Sequence, residues 1–273
     1  MGTESRNPKS VHLSEMETAD IVRLMNEEDE TVIHAVRACI NEIAALTDCY
    51  AGTINGGGRV FYLGAGTSGG LALIDAAEVP PTFGMSPDRV IALTAEEAIS
   101  YTNDAEDSTQ KARAQLESHH CGSGDLVIGI AASGSTPYVA EGLRYAKSVG
   151  ALTGAVACNK DSVIGKIADY KVEADTGAEV LTGSTRLKAG TAQKMILNMM
   201  STAAMVKCGK VMSNYMVDVQ AMNAKLVKRA ASIVMELTGC DAETANEAMR
   251  RNDNHAKRAI EWIQNKETTG QTE

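Results

Sequence analysis

The chain has 273 residues, 44% hydrophobic and 22% charged, which suits one large domain, or one domain with a small appendage, around a buried core. Its net charge of −9 argues against general binding to nucleic acid or anionic membrane, which needs clustered Lys and Arg. It leaves room for one small phosphorylated ligand, because backbone N–H groups and hydroxyls hold a phosphate without a positive protein.

Residues 1–13 show no period and read as a loose arm. Ser14 with Glu17 three places on fits a capping box. Ile21, Leu24, Met25, Val32, Ile33, Val36, Ile40 and Ile43 then fall at helical spacing, as two helices or one broken helix. The acidic run 26–30 reads as a solvated helix face. Gly56, Gly57 and Gly58 close this region, and short apolar runs then alternate with helical stretches. Strands are expected at 59–63, 89–93, 125–131 and 151–157, with a short last one around 171–173 and 180–181. Helices are expected through Leu71 and Ile74, over 137–149 and over 188–207. Strand, turn and helix in repetition predict an α/β fold with a parallel sheet covered on both faces. The apolar stretch 195–206 contains Asn198, Ser201 and Thr202 between Lys194 and Lys207, so it reads as a core helix and not a membrane span. From Ala224 the pattern is helical only, with Asp241 as an N-cap and Asn252 or Asp253 capping the last helix, which predicts a small three-helix bundle. The expected divisions are 1–58 (arm and helices), 59–223 (α/β domain), 224–266 (bundle) and 267–273 (polar tail).

The six cysteines form no C-x-x-C pair, and no H-E-x-x-H stands among the five histidines, so no metal site is expected. Scattered cysteines without a leader-like opening stretch point to reduced thiols in a cytoplasmic protein.

Three turns carry the chemistry. Each follows a strand and is rich in Gly and hydroxyls: residues 64–70 with Gly66, Thr67 and Ser68; residues 132–137 with Ser133, Gly134, Ser135 and Thr136; and residues 181–186 with Ser184 and Thr185. In an open α/β sheet ligands bind at the carboxyl ends of the strands, and helix N-termini there offer free N–H groups and partial positive charge. Three such turns converging on one crevice would cradle a phosphate monoester. Gly64, Gly66 and Gly69 also match G-x-G-x-x-G, but the acidic residue of a dinucleotide site has no clean candidate, since Glu96 and Glu97 come after the next strand. The pattern favours a phosphosugar cradle over a dinucleotide site.

Among the carboxylates, Glu78 sits at the end of the first cradle helix, just before Pro80 and Pro81, which are expected to stop and bend the chain. The helix dipole gives a carboxylate nothing there, which favours a role other than capping. Glu106 lies among other acids and reads by itself as a solvated helix start. Two carboxylates with separated pKa values are what acid–base chemistry at carbon needs. Glu179 reads as a surface residue at a strand start. Lys188 reads equally as a phosphate-neutralising group or a solvent-exposed one, and His255 as a helix-start residue.

The runs 64–69, 75–84, 130–138 and 179–194 (EVLTGSTRLKAGTAQK), with Arg6-Asn7-Pro8, Met216 to Gln220, Asn223 and Thr238 to Asp241, resemble the signature segments of N-acetylmuramic acid 6-phosphate etherases over nearly the whole chain. The 179–194 run is shared mainly with the related glucokinase regulatory proteins. The resemblance implies a sugar-isomerase-type three-layer αβα sandwich and a homodimer with its active site near the subunit interface. It implies a small phosphorylated amino-sugar substrate and no cofactor. The implied reaction is cleavage of the D-lactyl ether, with Glu106 as the base at C2 and Glu78 as the acid that protonates the departing lactate. It implies that the hydroxyl turns, with Glu179 and Lys188, bind the substrate. The chain departs from the family pattern at Gly70 and Ser135, where arginine is usual, and at Val79, where cysteine is usual. The missing arginines keep open an etherase-like enzyme on another phosphosugar and a non-catalytic sugar-phosphate sensor; an aldose–ketose isomerase, which needs a base at C2 but no acid for lactate, is a further alternative.

Overall fold

The computed structural model describes residues 2–96, 106–218 and 224–269. Val219, Gln220 and Asn223 of the family-like segment, Asp104 and Ala105, and the end of the polar tail (270–273) lie outside the described residues. The described chain forms two compact units, one of residues 1–77 with 87–204 and one of residues 78–86 with 205–273.

The first unit begins with two long helices, α1 (Thr18–Arg37) and α2 (Ile40–Asn55). Five strands follow: β1 (Val60–Gly64), β2 (Val90–Thr94), β3 (Leu126–Ala131), β4 (Leu152–Ala157) and β5 (Tyr170–Glu173). They pair in parallel in the order β2-β1-β3-β4-β5. The central strands β1 and β3 are buried along their whole length, which is why they read as unbroken apolar runs. α3 (Gly66–Phe83) follows β1, and α4 (Lys111–Ser118) precedes β3. α5 (Pro137–Ser148), α6 (Val163–Ile167) and α7 (Lys188–Lys207) complete the unit's helices. Leu116 of α4, Val139 and Leu143 of α5 and Ile164 of α6 join one sheet face in a single apolar core. On the other face Leu46 of α2 lies over Gly154, where an added Cβ would come within 2.7 Å of its Cδ1. Tyr62 of β1 reaches Asp75 of α3 there, and Asp75 also accepts from Ser201 of α7. The result is the expected three-layer αβα sandwich.

The second unit contains the C-terminal end of α3 and a short hairpin of β6 (Val211–Met212) and β7 (Tyr215–Met216). It also holds α8 (Ala224–Thr238), α9 (Ala242–Arg251) and α10 (Ala256–Thr269). Val234, Ala248, Met249, Ile260 and Ile263 form its buried centre. Asp241 caps α9 as expected, accepting the Thr244 N–H.

Several local expectations are corrected. The opening arm is not loose: 3-10 turns run over Pro8–Ser10 and Leu13–Glu15, and Thr3, Asn7 and Ser10 are buried. The capping box does not form, because Ser14 is taken into the second of these turns and Glu17 precedes α1 with no side-chain cap. Glu28, in the supposed solvated acidic face, is buried. α3 runs through Pro80 and Pro81 to Phe83 and ends at Gly84, whose N–H returns to the Pro80 carbonyl with φ at 64°. Val180 and Leu181 belong to a loop and not to the last strand. Asn252 ends α9, and Asp253 and Asn254 take left-handed conformations, so the cap expected there is absent.

Candidate functional site

The strand order reverses between β1 and β3, so the turns that follow these two strands part to opposite sides and leave a crevice at their carboxyl ends. A cavity of about 320 Å³ lies there. The first turn contributes Gly66, Thr67 and Ser68, the second Ser133 and Thr136, and the third Ser184, Thr185 and Arg186. Glu106 and Glu4 complete its polar lining. The convergence expected from three separate stretches of sequence is therefore present in one place.

Local packing explains the glycines of the first turn. A Cβ on Gly64 would stand 2.7 Å from the Gly69 nitrogen, and one on Gly69 would stand 2.9 Å from the Gly64 carbonyl oxygen. The two bare positions let α3 press against the end of β1, so the helix opens directly over the strand. The Ser68 hydroxyl donates to Gln193 of α7, 2.9 Å away, which ties the first turn to the helix that follows the third. In the second turn, Gly134 has φ at 73°, and a Cβ there would meet the Ser162 Cβ at 2.4 Å.

The carboxylates give the cavity its chemistry. The Gly66 N–H, at the start of α3, donates to Glu96 Oε1 at 3.0 Å. Glu106 Oε1 stands 3.4 Å from where a Cβ on Gly66 would be. The Glu106 backbone is fixed by the Tyr138 N–H, which donates to its carbonyl at 3.0 Å. Glu106 is exposed, yet partial desolvation at the cavity wall raises its carboxyl above its ordinary value, and the negative charges of Glu96 and Asp107 raise it further. That is the direction a general base working near neutral pH requires.

Other expected site residues lie elsewhere. Glu179 is fully buried and accepts the N–H groups of Lys188 and Ala189, both at 3.0 Å, so it closes the N-terminus of α7. Burial raises its carboxyl, and those two bonds pull it back part of the way. Lys188 is neither exposed nor in the cavity lining; its ammonium meets Glu28 at 2.7 Å in a buried pair. Gly134 and Ser135 shape the second turn without lining the cavity, and the Ser135 hydroxyl lies 3.0 Å from that of Ser133. Glu78 is exposed on α3 and belongs to the second unit. Gly70 has open space at its Cβ position.

Two polar lining residues were not named as site candidates from the sequence. Arg186 is the one cationic side chain among the described lining residues, and its signal was present, since it follows Ser184 and Thr185 directly and Arg is well suited to phosphate. Glu4 carried no local signal, because it reaches the cavity only through the path of the arm.

Comparison with known proteins bears on the fold and the family. Residues 42–147 match the glucokinase regulatory protein N-terminal SIS domain, 109–203 the SIS domain, and 213–272 the C-terminal lid domain of glucokinase regulatory protein. Among solved structures, a phosphoheptose isomerase from Francisella tularensis superposes with a TM-score of 0.52 at 13% identity, over 68% of this chain and 100% of that one. The Vibrio vulnificus NanR protein complexed with ManNAc-6P gives 0.54 at 15% identity, over 83% and 72%. Both show the shared fold. Much closer in sequence are the N-acetylmuramic acid 6-phosphate etherases of Geobacillus sp. (strain WCH70), 52% identical over 96% of this chain and 90% of the relative, and of Mycolicibacterium smegmatis, 47% identical over 94% and 88%. With that identity sustained along nearly its full length, the chain belongs to the N-acetylmuramic acid 6-phosphate etherase family.

Proposed function

We propose that this chain is a carbon–oxygen lyase of the cytoplasm. It cleaves the D-lactyl ether at C3 of N-acetylmuramic acid 6-phosphate, giving N-acetylglucosamine 6-phosphate and D-lactate. The observation that carries the reading is the meeting of three hydroxyl-rich turns, Arg186 and the raised carboxyl of Glu106 in one cavity. The hydroxyls and the guanidinium suit a phosphate monoester. With the sugar ring open, the C1 aldehyde acidifies the C2 proton, and Glu106 removes it. The C3–O bond breaks, and the lactate oxygen leaves with a proton from Glu78. Water, deprotonated by Glu78, then adds at C3 of the C2–C3 double bond, and C2 regains a proton. All of this is acid–base chemistry on the substrate's own carbonyl.

In this reading the enzyme is a homodimer. Glu78 is exposed, and in this reading each copy lends it to the cavity of the other. Incubation with N-acetylmuramic acid 6-phosphate should release D-lactate. Glu78→Gln and Glu106→Gln should each abolish release while leaving binding of phosphate esters largely intact, and mixing the two variants should restore part of the activity. Near wild-type release by either variant would remove that residue from its role. A sugar-phosphate sensor is the second reading, favoured by the matches to glucokinase regulatory protein modules. Saturable binding of a sugar 6-phosphate without lactate release would select it.

A further inference from the structure

The opening residues 2–10 form a strap fastened at both ends to the cradle. At its start, Thr3 is fully buried. Its N–H donates to Asn159 Oδ1 at 2.9 Å, and Asn159 Nδ2 donates back to the Thr3 hydroxyl at 2.9 Å. The same Nδ2 donates to the carbonyl of Ser133 at 3.1 Å, so Thr3 is linked through one side chain to the second turn. A tight turn follows, with the Ser5 N–H on the Gly2 carbonyl at 2.9 Å, and it carries Glu4.

At the far end Asn7 Nδ2 donates to Glu28 Oε2 at 2.8 Å and to the Ala178 carbonyl at 3.3 Å. Glu28 also receives Lys188, and Lys188 and Glu179 bracket the third turn. Between the two fastenings Glu4 lines the cavity, with its Oε2 3.4 Å from where a Cβ on Gly183 of the third turn would be. Glu4 makes no ion pair among the described residues.

A carboxylate in a cavity suited to phosphate repels that phosphate, and ionised Glu accepts hydrogen bonds without donating any. Its useful partner is the other end of the ligand, where hydroxyl and amide hydrogens stand. We propose that Glu4 is a specificity-determining residue that accepts hydrogen bonds from hydroxyl or amide donors on the sugar of the bound phosphosugar, and that the strap is one wall of the site. This rests on the phosphosugar reading above.

The test compares two probes, N-acetylglucosamine 6-phosphate and inorganic phosphate, binding to the full chain and to Glu4→Gln, with thermal melting to confirm folding. Loss of a charged acceptor should weaken the sugar phosphate by about tenfold or more. Binding of inorganic phosphate, which lacks the sugar donors, should hold or tighten. Thr3→Val, which loosens the fastening and removes the Thr3 hydroxyl that donates to Glu4 Oε1 at 3.5 Å but keeps the carboxylate, should weaken the sugar phosphate less than Glu4→Gln does. Equal weakening of both probes by Glu4→Gln, tightening of both, or no change in either overturns the role of Glu4 alone. A wild-type protein that binds neither probe overturns the phosphosugar reading together with it.

Discussion

At the residue scale, Glu106 and Glu96 are the informative pair. Glu96 accepts the Gly66 N–H beside Glu106, so one carboxylate holds the start of α3 and its charge acts on the other. A base whose carboxyl is raised is protonated over more of the acidic range, so activity should climb only as pH rises through that elevated value. Glu96→Gln removes part of the cause and should move the acid limb of kcat/KM for lactate release to lower pH. An unmoved limb would show that the two carboxylates are not coupled. Neither role was visible in spacing. Glu106 reads by itself as a solvated acid, and only the resemblance singled it out; Glu96 was weighed as a dinucleotide ligand and set aside. Lys188 and Glu179 were sequence candidates for substrate binding, yet the first pairs with Glu28 and the second closes α7. Both are buried, and burial depends on what packs over them rather than on their neighbours in sequence.

At the scale of elements, the cradle turns explain which glycines can be changed. Gly70 sits within α3, its φ is not in the left-handed region, and nothing lies within 4 Å of an added Cβ. Gly70→Ala should therefore stabilise the protein by up to about 1 kcal/mol, read from urea unfolding, because it removes backbone freedom from the unfolded chain. Gly134→Ala should go the other way, by about 1–3 kcal/mol, because φ at 73° is strained for alanine and the Ser162 Cβ blocks the new methyl. A neutral Gly134→Ala in the same measurement would contradict this account of the second turn. The strands and main helices were legible because their apolar periods differ so clearly. The proline-containing end of α3 was not, since two prolines argue for a stop and the structure instead carries the helix to Gly84.

At the scale of the whole molecule, the buried group of Asn7, Glu28 and Lys188, with the exposed Lys9 at its edge, joins the opening strap, α1 and the start of α7. Burial would raise the Glu28 carboxyl, but hydrogen bonds from Lys188, Lys9 and Asn7 outweigh it and hold it at about 2. A carboxyl lowered in the folded state adds stability above its unfolded value and loses it as pH falls toward the folded one. About 3 kcal/mol should therefore disappear between roughly pH 4.5 and pH 2 in acid unfolding. Glu28→Gln should cost about 3–5 kcal/mol at neutral pH, by leaving Lys188 buried and unpaired, and should flatten that acid transition. What the sequence by itself determined was the alternation of strands and helices, the helical bundle and three hydroxyl-rich turns, because periodicity and turn chemistry are local properties of the chain. Tertiary structure alone decided that the opening arm is a wall of the cradle, that Glu28 is a buried anchor and that Glu4 lines the cavity. Those facts depend on contacts between residues far apart in the chain, such as Thr3 with Asn159 and Glu28 with Lys188, which no local pattern records.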